Sequence, residues 1–240
     1  MPQRRELQRK HSQAETHRSD RAGWLRAAVL GSDDAIVSTA SLMIGVAASA
    51  ASRSAILVAG VAGLVAGAMS MAVGEFVSVS SQRDTEEADV EVERKELAAD
   101  PATELEELVQ IYVKRGLDES LARQVAEQLS AGDRLGTHLR DELGIHPSAR
   151  ARPLQAAWIS ALSFAMFALI PILALLVAPA AYRIPLIAAC SLAGLAVLGA
   201  VGGHLGGAPK ARAALRVALG GSLAMVITAG IGRLLGVSMS

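Results

Sequence analysis

The sequence is short of aromatic rings, of cysteine and of net charge. Two Trp, two Tyr and three Phe among 240 residues are too few to build the interlocking rings of an ordinary soluble core. A single cysteine, Cys190, excludes a disulfide framework or a thiolate metal site within one chain. Its place in an apolar run makes it a small packing residue. Twenty-three Lys and Arg offset 23 Asp and Glu, so no basic excess marks a nucleic-acid partner. Acids are nearly missing from two apolar regions: residues 148–240 hold none, and residues 24–83 hold only Asp33, Asp34 and Glu75.

What is present is a composition 52% hydrophobic and dominated by Ala, Gly, Leu and Val. Such small residues let helix backbones approach closely in lipid, where every backbone polar group must be satisfied internally. Taking about 20 apolar residues per crossing, five spans are expected at residues 24–50, 54–80, 154–177, 184–205 and 211–234. The first is too long, and too polar at its start, for a cleaved signal, so it is expected to be retained. Arg and Lys gather in the tail (Arg4, Arg5, Arg9, Lys10, Arg18, Arg21), at Arg83, Arg150 and Arg152, and at Lys210, Arg212 and Arg216. The opposite side has only Arg53, Arg183 and Arg233. The positive-inside rule then puts the N-terminus in the cytoplasm and the C-terminus across the membrane.

Most of the acids lie between the second and third spans. Residues 84–147 carry 17 Asp and Glu against seven Lys and Arg, a local balance of −10. Carboxylate oxygens are ligands for divalent cations, which points to a block that collects a cation beside an apolar part that carries it. The block reads as helical. A charged first stretch over residues 84–99 ends at Asp100-Pro101, which starts a second helix with Leu105, Leu108, Val109 and Tyr112 on one face, and Gly116 breaks it. Asp118 caps a third helix with Leu121, Val125 and Leu129, and a last helix over residues 133–143 stops at Gly144 and Pro147. The expected fold is an all-α membrane protein, five transmembrane helices with a cytoplasmic helical metal-binding domain inserted between helices 2 and 3. Its divisions are a basic tail (1–23), spans one and two (24–83), the acidic domain (84–147) and spans three to five (148–240).

Ionisable groups inside a membrane are costly and mark function. Asp34, Ser38 and Ser41 fall at i, i+4 and i+7 on the first span, while Met71 and Glu75 sit one turn apart on the second. Together they offer carboxylates, hydroxyls and a thioether for a cation path. The plainer role of Asp33 and Asp34 is to cap a helix at the water boundary. In the acidic block, Glu93 with Glu96 and Glu104 with Glu107 are i,i+3 pairs that aim two carboxylates at one point. His138 and Glu142, at i,i+4, add a nitrogen and another carboxylate, although acidic helices are commonly just solvated faces. His11, His17, His146 and His204 carry no such pattern. Gly60, Gly63, Gly67, Ser70 and Gly74 form a small-residue stripe along the second span, suited equally to packing within the chain and to a dimer seam.

The segment Gly31-Ser-Asp-Asp-Ala-Ile-Val-Ser-Thr39, and Ser70-Met-Ala-Val-Gly-Glu-Phe-Val-Ser78 followed by Gln82-Arg-Asp84, resemble the two signature stretches of the vacuolar iron transporter family. The resemblance implies five spans, a homodimer, a cytoplasmic helical metal-binding domain, and exchange of Fe²⁺, often Mn²⁺ as well, for protons. Asp34 resembles the family's essential first-span aspartate and Met71 its second-span methionine. Glu93, Glu96, Glu104, Glu107 and Glu142 fall where the family places metal-binding glutamates. Asp33 and Ala35 stand where Asn and Gly are common, and His138 where plant members have methionine, so metal preference is open to change.

The expected function is therefore export of cytosolic Fe²⁺ or Mn²⁺ in exchange for protons, with no enzymatic step and no permanently bound cofactor. The expected partners are divalent metals, protons, the lipid bilayer and a second copy of the chain, with Zn²⁺ a further ligand for the cytoplasmic domain. A metal sensor or storage protein without transport, and a scaffold binding a basic partner, are the alternatives. Composition points to a bacterial inner membrane, with an organellar membrane as the other location.

Overall fold

The structure is a computed structural model that describes residues 22–145 and 151–238. The basic tail with His11 and His17, the stretch holding His146, Pro147 and Arg150, and the last two residues lie outside the described residues. All regular structure among the described residues is helical: α1 (Ala22–Ala48), α2 (Arg53–Ala99), α3 (Pro101–Lys114), α4 (Glu119–Asp141), α5 (Pro153–Val177), a short 3₁₀ turn (Ala180–Tyr182), α6 (Arg183–Gly206) and α7 (Lys210–Ser238). Five of these, α1, α2, α5, α6 and α7, are long and apolar enough to cross a membrane.

The second span and the charged stretch that begins at Asp84 prove to be one helix of 47 residues. No Gly or Pro interrupts it after Gly74, and its polar part is braced by i,i+4 pairs such as Gln82 with Glu86 and Arg83 with Glu87. The fold divides into two compact units, one made of the residues up to Phe76 together with those from Leu154 onward, the other of Val77–Pro153.

In the first unit α1 packs on both α6 and α7, which also pack on each other. Ile36, Met43, Ile187 and Leu195 are fully enclosed at its centre. Small residues set these spacings. A Cβ on Gly232 of α7 would lie 2.0 Å from the carbonyl oxygen of Gly45 in α1, so the two backbones touch where neither has a side chain. Arg53 donates to the carbonyls of Leu175 and Leu176 at the end of α5, the first of which also accepts the N–H of Ala178.

The glycine stripe is used within the chain. A Cβ at Gly60 would meet Met43 Sδ at 2.7 Å, one at Gly63 would meet Leu42 Cδ2 at 2.9 Å, and one at Gly67 would meet Phe164 Cζ at 2.1 Å, whereas Gly74 faces open space. The stripe therefore seats side chains of α1 and α5, the packing reading of the two that the sequence left open.

The second unit is held by Leu108, Val109 and Tyr112 of α3 against Ala122 and Ala126 of α4. Full burial of a Leu or Val stabilises by about 1.5–3 kcal/mol, and the two alanines let the helices close on one another. Asp100 caps α3 through the N–H of Thr103, with Pro101 in the first turn, and Asp118 caps α4 through the N–H of Leu121. Gly116 takes φ +102° and Gly144 φ +68°, left-handed conformations that an unbranched glycine adopts without strain. Asp133 leaves the helical region inside α4, so the helix is two pieces across a kink.

Candidate metal centre and membrane groove

Three helices of the second unit bring one cluster together: Glu93 from α2, Glu104 from α3 and His138 from α4, all buried. Nδ1 of His138 lies 3.0 Å from Glu93 Oε1, 3.8 Å from Glu104 Oε2 and 3.0 Å from Glu142 Oε2. One ligand atom each from Glu93, Glu104 and His138 falls within 4.8 Å of the others. Ligands about 2.1 Å from one ion stand about 3–3.5 Å apart, so a small contraction would close this group on a cation.

The hydrogen bonding is incomplete in the way a cation would complete it. Nδ1 can direct only one proton, and its hydrogen bond is with Glu142. Glu93 Oε1 and His138 Nε2 are buried without a hydrogen-bond partner among the described residues, a state that costs about 1–3 kcal/mol per group. Burial, then repulsion from Glu142, Glu104 and Glu96 against the pull of His138, drives the Glu93 carboxyl up to about 7. Burial and the charge of Glu107 raise Glu104 as well.

The two glutamate pairs are split by the fold. Glu93 and Glu104 are buried in the cluster, while Glu96 and Glu107 are exposed and act on it through their charge. Glu107 and Glu142 line a shallow surface groove of about 520 Å³ with Thr103, Gln110 and Asp141. The i,i+3 spacing placed both carboxylates of a pair on one side of a helix and carried no information on which would be covered by a neighbour.

The first unit holds a second polar feature. A groove of about 270 Å³ is lined by Asp34, Ser38, Thr39 and Leu42 of α1, by Gly63, Gly67, Ser70 and Met71 of α2, and by Phe164 of α5. It unites Asp34, Ser38 and Met71. Glu75 is buried and does not line the groove. Ser38 donates its hydroxyl to the Asp34 carbonyl at 2.6 Å, which leaves its lone pairs for a cation. Asp34, Ser38 and Leu42 are exposed along α1, whereas Ser41 is buried with an unpartnered hydroxyl. The exposed face thus runs 34, 38, 42, with an apolar Leu42 at its end, rather than 34, 38, 41. Thr39 and Phe164 were not foreseen in the groove: Thr39 lay in the quoted first-span motif, and nothing local in the third span singles out Phe164.

The VIT family profile matches residues 25–233. The chain belongs to the VIT family. A protein of Acanthamoeba castellanii named vacuolar iron transporter is 49% identical over 212 residues, 88% of this chain and 78% of its own length. Vacuolar iron transporter homolog 1 of Oryza sativa is 43% identical over 90% of this chain and 75% of its own. Vacuolar iron transporter homolog 2 of Arabidopsis thaliana is 37% identical over 91% and 87%. The family match takes in both the groove and the glutamate cluster. The expectation of a bacterial inner membrane gains no support from relatives that are named vacuolar.

Proposed function

We propose that the chain is a divalent-metal transporter that moves Fe²⁺, and Mn²⁺ as well, out of the cytosol in exchange for protons. The observation that carries the reading is the carboxylate of Asp34 on a membrane-spanning helix, in a groove it shares with the thioether of Met71 and three hydroxyls. An acid there costs several kcal/mol unless it serves a charged cargo, and a sensor or storage protein has no need of it. The names of the relatives support iron as the cargo.

In this reading the second unit faces the cytosol, and Glu93, Glu104, His138 and Glu142 take a hydrated cation from it, with Glu96 and Glu107 supplying attraction. Asp34 and Met71 then ligate the partly dehydrated ion in the groove, and protonation of Asp34 or Glu75 couples the opposing flux. The groove is open along α1 in the single chain, and an exposed carboxylate cannot face hydrocarbon. A homodimer that brings two such faces together around a shared path answers this. Uptake of Fe²⁺ or Mn²⁺ into proteoliposomes containing the purified protein tests the function, and metal binding without uptake would replace it with storage or sensing.

A further inference from the structure

The two turns of α4 that carry His138 are gripped at both ends by aspartates outside the metal cluster. At the leading end Asp133 adopts φ −146° and ψ 89°, which stops the helix. Its side chain then starts a new one: Oδ1 accepts the N–H of Gly136 at 3.0 Å. This cap depends on Gly136, where a Cβ would lie 2.1 Å from Asp133 Oδ2 and 2.7 Å from its Cγ. The buried hydroxyl of Thr137 donates to the Asp133 carbonyl at 2.7 Å, tying the next residue to the same point.

At the trailing end Asp141 is held from three sides. Its Oδ2 accepts from Tyr112 Oη and from Arg140 Nη2, each at 2.9 Å, and its Oδ1 accepts from Arg115 Nη1 at 2.9 Å. Arg115 also donates to the Asp141 carbonyl at 2.5 Å, where the helix has run out of its own donors. Tyr112 lies in α3 and Arg115 caps its end, so this contact fastens α4 to the helix that bears Glu104. Glu142, the next residue, returns its N–H to the carbonyl of His138 at 2.9 Å.

We propose that Asp133 and Asp141 are positioning residues for the cluster: the first sets the direction of the two-turn segment and the second anchors it to α3, so that His138 and Glu142 meet Glu93 and Glu104 at ligand distance. The inference rests on the reading of the cluster as a cation site. Rotating a helix by about 20° sweeps a ring nitrogen lying about 6 Å from the axis through about 2 Å. Ligand distances tolerate about 0.2 Å, so the setting of this segment decides whether a site exists.

Titration of the full-length protein in detergent with Co²⁺ alone tests this, with the visible spectrum of the bound ion as a readout of its coordination that general loosening of the fold would not shift. Asp133→Ala, which loses the cap, and Tyr112→Phe, which loses one hydroxyl of the anchor, are each expected to weaken binding by about tenfold and to change the spectrum at unchanged helix content. Asp133→Asn keeps a capping oxygen and is expected to restore wild-type affinity and spectrum. Wild-type affinity and spectrum in both Asp133→Ala and Tyr112→Phe would overturn the inference. Equal Co²⁺ binding by the wild type and by the Glu93→Gln, Glu104→Gln double variant would overturn it together with the metal reading, and that arm alone separates the two failures.

Discussion

Glu93 Oε1 stands 3.0 Å from Nδ1 of His138, as near as Glu142 Oε2 stands, yet only Glu142 completes a hydrogen bond with the ring. The unpaired oxygen is the sharpest mark of a site for something else. Arg115 and Lys114 lie in the same unit, and neither forms an ion pair with Glu93; Arg115 is committed to Asp141. A divalent ion would satisfy the orphan oxygen and relieve the repulsion among four carboxylates in one step.

The buried pair should matter more than the exposed pair. In calorimetric titration of the full-length protein with Mn²⁺ or Zn²⁺, Glu93→Gln and Glu104→Gln are expected to lower affinity by at least about tenfold. Glu96→Gln and Glu107→Gln act only through screened charge and are expected to cost about threefold or less. Unchanged affinity in Glu93→Gln and Glu104→Gln would return the cluster to a solvated acidic face.

The elevated Glu93 carboxyl ties stability to pH. In the folded protein it titrates at about 7 against an ordinary 4.5, so between those values the folded state holds a proton that the unfolded state has released. Metal-free protein should therefore lose stability as pH rises from about 4.5 to about 7, and then level off. Asp141 acts in the opposite sense: burial alone would raise it, but hydrogen bonds from Arg140, Arg115 and Tyr112 outweigh that and hold it at about 2. Its contribution is present above about 3.8 and is lost as pH falls toward 2. Thermal unfolding with a chelator present, followed from pH 5 to 8, should show a falling midpoint in the wild type and a flatter profile in Glu93→Gln.

Asp34 lies inside α1, which runs from Ala22 to Ala48, so the structure rules out the helix-cap role, and Asp34→Asn tests it as a cation ligand. The amide keeps the size of the acid but cannot alternate between a metal and a proton. Liposomes carrying a pH dye and given an Fe²⁺ or Mn²⁺ gradient should show no metal-driven proton movement in the variant, while binding at the glutamate cluster persists. Exchange near the wild-type rate would remove Asp34 from the path.

Gly67 tests packing inside the chain rather than the dimer. Gly67→Leu would drive a side chain into the ring of Phe164 and is expected to cost about 1–3 kcal/mol, read as a lowered thermal midpoint in detergent. Adding Phe164→Ala opens the space and should recover part of the loss. No recovery would mean that the residue meets something other than Phe164.

The proposed dimer has its own test on the exposed face of α1. In a Cys190→Ala background, Leu42→Cys should cross-link between protomers in the membrane under mild oxidation. A cysteine placed on the exposed outer face of α7, at Leu223, should not. Equal cross-linking at both positions would point to random collision.

Much of this architecture was legible because it rests on local signals. Spans follow from apolar length, and Asp100-Pro101, Gly116, Asp118 and Gly144 each announce a helix end through cap or turn chemistry that depends on the residue alone. Three things were not legible. The continuity of α2 past Asp84 is the absence of a break, and the expected domain boundary followed charge, which does not end a helix. The choice of Glu93 over Glu96 for burial depends on where α3 and α4 pack. The grip of Tyr112 and Arg115 on Asp141 spans 29 and 26 residues, beyond the reach of any spacing rule.

The contact of Gly45 with Gly232 joins residues 187 positions apart, and it sets an order of events during synthesis. The first span leaves the ribosome early, but the helix against which its backbone seats comes last. Until α7 arrives, α1 sits in the bilayer with that face open to lipid or to whatever factor shields it. Final assembly of the membrane unit is therefore a late, non-local step, and a ribosome stalled before α7 is made would leave a chain in which α2, α5 and α6 are complete and the first span cannot close.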